Sequence, residues 1–209
     1  MKFVYESHRN AFELLENNQS YLSDWLSLKT TLLNINDEKL INSFNRHSLG
    51  KNKSLSVAIN KLLLEELVIE GWRAESPIFQ DPNYQGESWR LDFARGKIAV
   101  EVAFNHGEAV AWNLIKPNLS GELNHVSKAI QTEIGVIITA TESLKIAGGF
   151  DSAVGTYEKF LTYLKPLRQM LTVPMLIIGL DKPEGFGIQH KKMDGKKIGE
   201  IRLISAPLL

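Results

Sequence analysis

The sequence contains no cysteine, which excludes disulfides, zinc–thiolate sites and thiol nucleophiles and fits an intracellular protein. It also has no apolar run approaching the roughly 20 residues of a membrane-spanning helix. The opening stretch, MKFVYESHRNAFELLENN, is too polar and acidic for a signal peptide. A cytoplasmic protein with no membrane partner is the expectation. A surplus of charge is lacking too, since 24 Lys and Arg balance 24 Asp and Glu. Nucleic-acid binding usually leaves a basic excess, so here it must rest on local clusters. Repeats, low-complexity segments and linkers are absent. The remainder is ordinary: 209 residues, 44% hydrophobic and 23% charged, enough for a single α/β domain over 1–209 with a real core.

The chain is organised around Trp89–Asn105, WRLDFARGKIAVEVAFN. It reads as two strands joined by a tight turn at Arg95-Gly96. Strand periodicity places Ile98, Val100, Val102 and Phe104 on one face and Ala99, Glu101, Ala103 and Asn105 on the other. A carboxylate in so apolar a strand is costly to bury without a partner. Asp92, across the hairpin, supplies a second one. Two acids on a rigid hairpin form a candidate site for a hard divalent cation such as Mg²⁺; solvated surface acids are the simpler alternative.

Helices are expected at Asn10–Asn17 and Ser20–Leu33, followed by a polar loop, Asn34–Lys53, around a short helix at Asp37–Phe44. That loop carries Asn45, Arg46, His47, Lys51 and Lys53, and either closes on a partner or is merely solvated. Ser54–Glu70 has the strongest helical pattern, with Ser54 placed to cap its start and Gly71 its end. Its acids, Glu65, Glu66 and Glu70, face solvent, or one of them turns inward to the hairpin. A short helix is expected within Gly121–Gln131. Ile134–Thr141 and Val173–Leu180 are apolar runs typical of strands covered on both faces. Between them, Gly148-Gly149 opens a loop and Ser152–Met170 forms a helix. Phe186–Ile204 is a hairpin turning at Asp194-Gly195. Its Lys191, Lys192, Lys196 and Lys197 either protect an edge or contact phosphates. The histidines show no paired ligand spacing; His106, at the end of the central strand, is the one that merits attention.

In their order, four stretches resemble the BglII/BstYI group of type II restriction endonucleases, which carry the PD-(D/E)XK nuclease core. These are the helix from Asn60 through Glu65-Glu66-Leu67 to Gly71-Trp72; Leu91-Asp92-Phe93 with Val100-Glu101-Val102-Ala103-Phe104; Gly135–Thr139 with Tyr157-Glu158; and Val173-Pro174 with Ile178-Gly179-Leu180. The resemblance implies an α/β fold with a mixed central sheet flanked by helices and, here, a C-terminal hairpin. It further implies Mg²⁺-dependent hydrolysis of double-stranded DNA at a short palindromic site by a homodimer, within a restriction–modification system. Some relatives read a central GATC.

By the same resemblance, Asp92 and Glu101 match the metal-binding acids and the carbonyl of Val102 completes the ligand set. Glu65 matches an acidic helix position that some wider members use in catalysis. Asp151, Ser152 and Thr156 fall where relatives read base edges; serine bonds several edges and aspartate accepts from cytosine N4. Lys191 and Lys192 are the candidate phosphate contacts. One departure stands out. Relatives carry Gln, Glu or Lys two residues after the strand glutamate, and here that position is Ala103. Either another group fills its catalytic role, or the chain binds specific DNA without efficient cleavage; an unrelated α/β function is the third alternative. If Ala103 is a lesion, Gln or Glu at that position should raise the cleavage rate.

Overall fold

Two strands are buried along their whole length, β5 (Ile134–Ala140) and β6 (Met175–Leu180). Their β-branched, almost uncharged sequences suit a position between two helical layers. The computed structural model describes residues 1–48, 52–122, 125–193 and 195–204. Around β5 and β6 lie β1 (Phe3–His8), β2 (Arg73–Pro77), β3 (Arg90–Arg95) and β4 (Ile98–Val102), completing a mixed six-stranded sheet in the order β1-β6-β5-β4-β3-β2. Strands β4, β5 and β6 run parallel, whereas β1, β3 and β2 join antiparallel. A separate two-stranded hairpin, β7 (Phe186–Met193) with β8 (Lys196–Leu203), follows the sheet.

Helices α1 (Ala11–Asn17), α2 (Gln19–Asn34), α3 (Asp37–Ser48) and α4 (Ser56–Ile69) cover one face. Their Leu15, Trp25, Leu28, Leu63 and Leu67 pack with Phe93, Val100, Val136 and Ile178 in the larger core. The opposite face is covered by α5 (Val110–Gly121) and α7 (Tyr157–Leu167). There Val110, Leu114, Phe160 and Leu164 meet Ala103, Ile137 and Ile177. A short helix, α6 (Glu142–Ala147), follows β5 and is capped by Thr141, whose hydroxyl accepts from the Leu144 amide. Gly135 explains how closely α5 lies on the sheet: a Cβ there would collide with Pro117 of that helix.

The central hairpin forms as expected. Arg95 pairs with Ile98 across a two-residue turn, and Gly96 adopts the positive φ of 51° that the turn requires. Arg95 anchors the turn through a 2.8 Å ion pair with Asp24 of α2. At the end of α4, Gly71 (φ 87°) closes a Schellman motif, with Trp72 N–H donating to Leu67 and Gly71 N–H to Val68.

Other expectations are corrected. The short helix in the 34–53 segment extends one turn further, to Ser48. The helix of this region lies earlier than the expected Gly121–Gln131, at Val110–Gly121, and the described residues between 122 and 131 form no helix. Helix α7 begins at Tyr157 rather than Ser152. The preceding residues are diverted: an Asp151 carboxylate oxygen accepts from Ala153 N–H, Val154 bridges to His106, and Thr156 bridges to Ala140. Strands β1 and β2 and helix α6 are additions to the expected elements. Lys51 and Asp194 lie outside the described residues.

Candidate active site

Hairpin register brings Asp92 and Glu101 side by side, since Phe93 pairs with Val100. Their surroundings differ. Asp92 lines a cleft of about 180 Å³ whose walls include Asn60 and Leu64 of α4, Glu75 of β2 and Val102 of β4. One Asp92 oxygen accepts a 2.6 Å hydrogen bond from the Val102 backbone N–H. Burial nonetheless holds its carboxyl above the usual range, with the Val102 amide and the Lys116 ammonium opposing that shift.

Glu101 lies behind the cleft, under α5, and is only 1% exposed. Its Oε2 forms an ion pair with Nζ of Lys116, which is 8% exposed and also donates to the Arg90 carbonyl at 3.0 Å. Its Oε1 is buried and accepts no hydrogen bond among the described residues. Desolvation and the neighbouring Asp92 charge push the Glu101 carboxyl up to about 8, with Lys116 opposing them. Two mutually repelling carboxylates, one with an oxygen that has no partner among the described residues, form a donor set that a divalent cation would relieve. Among the described residues no group of three Asp, Glu, His or Cys is arranged to hold a metal. Carbonyls, waters or a phosphate must complete any such site, as is usual for Mg²⁺.

The remaining candidates are spread around this centre. Glu65 points to α3, where its carboxylate meets Arg46 at 3.6 Å and His47 at 3.9 Å. Glu66 likewise pairs with Lys39, and Glu70 accepts from Ser27. No α4 acid therefore turns to the hairpin; Asn60 and Leu64 occupy that side. Ala103 is 2% exposed and packs with Val110, Leu114 and Phe160, while its carbonyl accepts from the Thr139 hydroxyl. Asp151 and Ser152 are exposed on the loop before α7. The amide of Ala153 holds the Asp151 carboxyl below its usual range. Thr156 is buried at the start of α7, and its hydroxyl donates to Glu142 at 2.9 Å. Lys191 pairs with Glu200, whereas Lys192 stands directly across the hairpin from Lys197.

Sequence reasoning missed three residues at the centre. Asn60 stands in the stretch that resembles the family but carries no role there, and Lys116 has no motif signal. Glu75 sits in a non-glycine left-handed conformation, φ 49°, between the pairs Ala74–Phe93 and Ser76–Leu91. Positive φ at a glutamate marks a position held by its surroundings, and only the folded backbone reveals it.

Comparison with known proteins completes the description. The chain superposes on the crystal structure of restriction endonuclease BglII complexed with a DNA 16-mer, with a TM-score of 0.67 and 19% identity over 98% of this chain and 100% of that one. Free BglII superposes with a TM-score of 0.55 and 18% identity over the same shares. No curated protein sequence matches significantly. No helix among the described residues is long and apolar enough to cross a membrane. The family model for restriction endonuclease BglII/BglIII matches residues 3–180, and the chain belongs to that family.

Proposed function

We propose that this chain is a type II site-specific deoxyribonuclease that hydrolyses phosphodiester bonds of double-stranded DNA with Mg²⁺. The observation that carries this reading is the Asp92–Glu101 pair, with Asp92 open to a cleft and Glu101 Oε1 lacking a partner among the described residues. Asp92, Glu101 and the Val102 carbonyl would hold the ion, which would supply polarisation of the scissile phosphate and a lowered pKa for a bound water. Asn60 and Glu75, which both line the cleft, would orient the phosphate and the attacking water. Residues 1–209 act as one domain, and two copies related by a two-fold axis engage the two strands of a short palindrome. A central GATC remains part of the proposal.

DNA contacts follow from exposure and charge. Asp151 and Ser152 are presented on an ordered turn suited to base edges. Thr156 is buried with its hydroxyl committed to Glu142, so it acts within the fold rather than by reading bases. Lys192 and Lys197 face one another across β7 and β8; like charges directly opposite are unfavourable unless an anion lies near. That pair, more than the Glu200-bound Lys191, suits a phosphate.

A second reading is specific DNA binding without efficient cleavage, favoured by Ala103 and by the engagement of Glu101 with Lys116. Digestion of unmethylated phage DNA with Mg²⁺ or Mn²⁺, followed by sequencing of the ends, decides between them. Discrete fragments sharing one palindromic terminus support the nuclease. Intact DNA from a preparation that still retards a specific duplex supports the binding protein.

A further inference from the structure

We propose that Lys116 is the positioning cation of this site, supplied from α5 in place of the polar side chain missing at residue 103. This inference rests on the nuclease reading above.

Three observations converge. Strand position 103, where the family pattern calls for a polar or charged group, is closed over by Val110 and Leu114 of α5. The same helix, two residues after Leu114, delivers Lys116 to Glu101. Gly135 removes the side chain that would hold Pro117, and with it Lys116, away from the sheet.

Lys116 is held from two sides. Its Nζ donates to Glu101 Oε2 and to the carbonyl of Arg90, the first residue of β3. A lysine ammonium has three donors and no acceptor, so each bond is directional and the carboxylate is fixed by one oxygen. The other, Oε1, stays buried and accepts no hydrogen bond among the described residues. Unbonded buried carboxylate oxygens are rare. One beside a second carboxylate, Asp92, is placed for a cation. The role of Lys116 is therefore to set the rotation of Glu101 so that Oε1 is the oxygen offered to the metal, and to offset part of the charge of the acid pair. It touches neither DNA nor metal and acts through Glu101.

The test uses the full chain and three substitutions. Lys116→Arg keeps charge and donor, Lys116→Gln keeps a donor without charge, and Lys116→Met removes both. Two quantities are read: Mn²⁺ binding, from the EPR signal of the free ion, and single-turnover cleavage in Mg²⁺. Partners behind a metal ligand are typically worth about 10–100-fold in metal affinity or activity. Lys116→Met and Lys116→Gln should each lose about that much in both readouts, and Lys116→Arg should recover most of it, with unchanged affinity for a specific duplex. Should the methionine variant fail to fold, the Gln–Arg comparison carries the same contrast. Mn²⁺ binding and cleavage within about threefold of wild type in the Gln variant would remove Lys116 from the site. Tighter Mn²⁺ binding in Lys116→Met or Lys116→Gln would overturn the proposal differently, making Lys116 a competitor for Glu101. A wild-type chain that neither binds Mn²⁺ nor cuts DNA overturns the nuclease reading along with it.

Discussion

An oxygen of Asp92 accepts the backbone N–H of Val102 at 2.6 Å, so a side chain of β3 closes the ladder at the point where β4 leaves its partner. The bond gives Asp92 a structural duty beside its proposed chemical one, and the two separate by substitution. Asn retains an acceptor for the Val102 N–H; alanine leaves that donor unpaired, at a cost of about 1–3 kcal/mol. Urea unfolding should therefore show Asp92→Asn close to wild type and Asp92→Ala destabilised by that amount. Equal stability of the two variants would show the bond to be dispensable.

The Glu101 carboxyl gives a pH signature. Its pKa rises from an ordinary 4.5 to about 8 on folding, chiefly through burial and the Asp92 charge. Between these values the unfolded chain has released the proton and the folded chain retains it. Stability contributed by this group must fall as pH rises through about 4.5 to 8, and level off above. Glu101→Gln should flatten that stretch of the stability curve, measured by thermal unfolding across the range. Because the proton must leave before a cation binds, Mg²⁺-dependent cleavage should rise with pH toward about 8. A rate maximum near pH 6 would contradict this.

Glu75 carries a different signature. Its φ of 49° lies where a non-glycine residue is strained, typically by about 1–3 kcal/mol. Glycine adopts that conformation freely but loses more chain entropy, about 0.5–1 kcal/mol. Glu75→Gly should thus be stabilising by roughly 1 kcal/mol while lowering the cleavage rate, because it removes a wall of the Asp92 cleft. A Glu75→Gly variant that is more stable and equally fast would place Glu75 outside the chemistry.

Legibility in the sequence followed the physical signals. The hairpin at Asp92–Glu101, the leucine-rich α4 and the strands β5 and β6 each carry a period or an apolar run that leaves one structural solution. Strand β1 does not: Phe3–His8 is an edge strand with Val4 and Tyr5 exposed, so its pattern lacks a buried face. In β2, Glu75 breaks the alternation by its backbone conformation. The start of α7 is not legible in the sequence, because an Asx turn and two single-residue bridges compete with the helix. At the site, Asp92 and Glu101 were visible as two acids on one hairpin, but the partners that define them come from elsewhere. Lys116 is fifteen residues further on and reaches Glu101 only because α5 folds back over the sheet, and the diversion of Glu65 requires α3 alongside α4.

For Ala103 the packing argues against the lesion alternative. If Ala103 is a lesion, Gln or Glu there raises the cleavage rate, yet the position packs with Val110, Leu114, Ile137 and Phe160. Overpacking such a site typically costs about 1–3 kcal/mol, and a buried amide adds to it. Ala103→Gln should lower the unfolding midpoint without raising the single-turnover rate. A rate gain of about 10²-fold or more, the size of water-orienting help, would instead identify Ala103 as a lesion.

The most direct measurement is single-turnover cleavage of the mapped duplex in Mg²⁺ by wild type, Asp92→Asn and Glu101→Gln, alongside their binding to the same duplex. If the hairpin acids hold the catalytic ion, wild type cuts both strands within the site and each variant loses at least about 10²–10³-fold in rate, the scale of one removed electrostatic contact. Both should still bind with affinity close to wild type. Cleavage by both variants at the wild-type rate, or a wild type that binds the duplex and leaves it intact in Mg²⁺, would contradict the account.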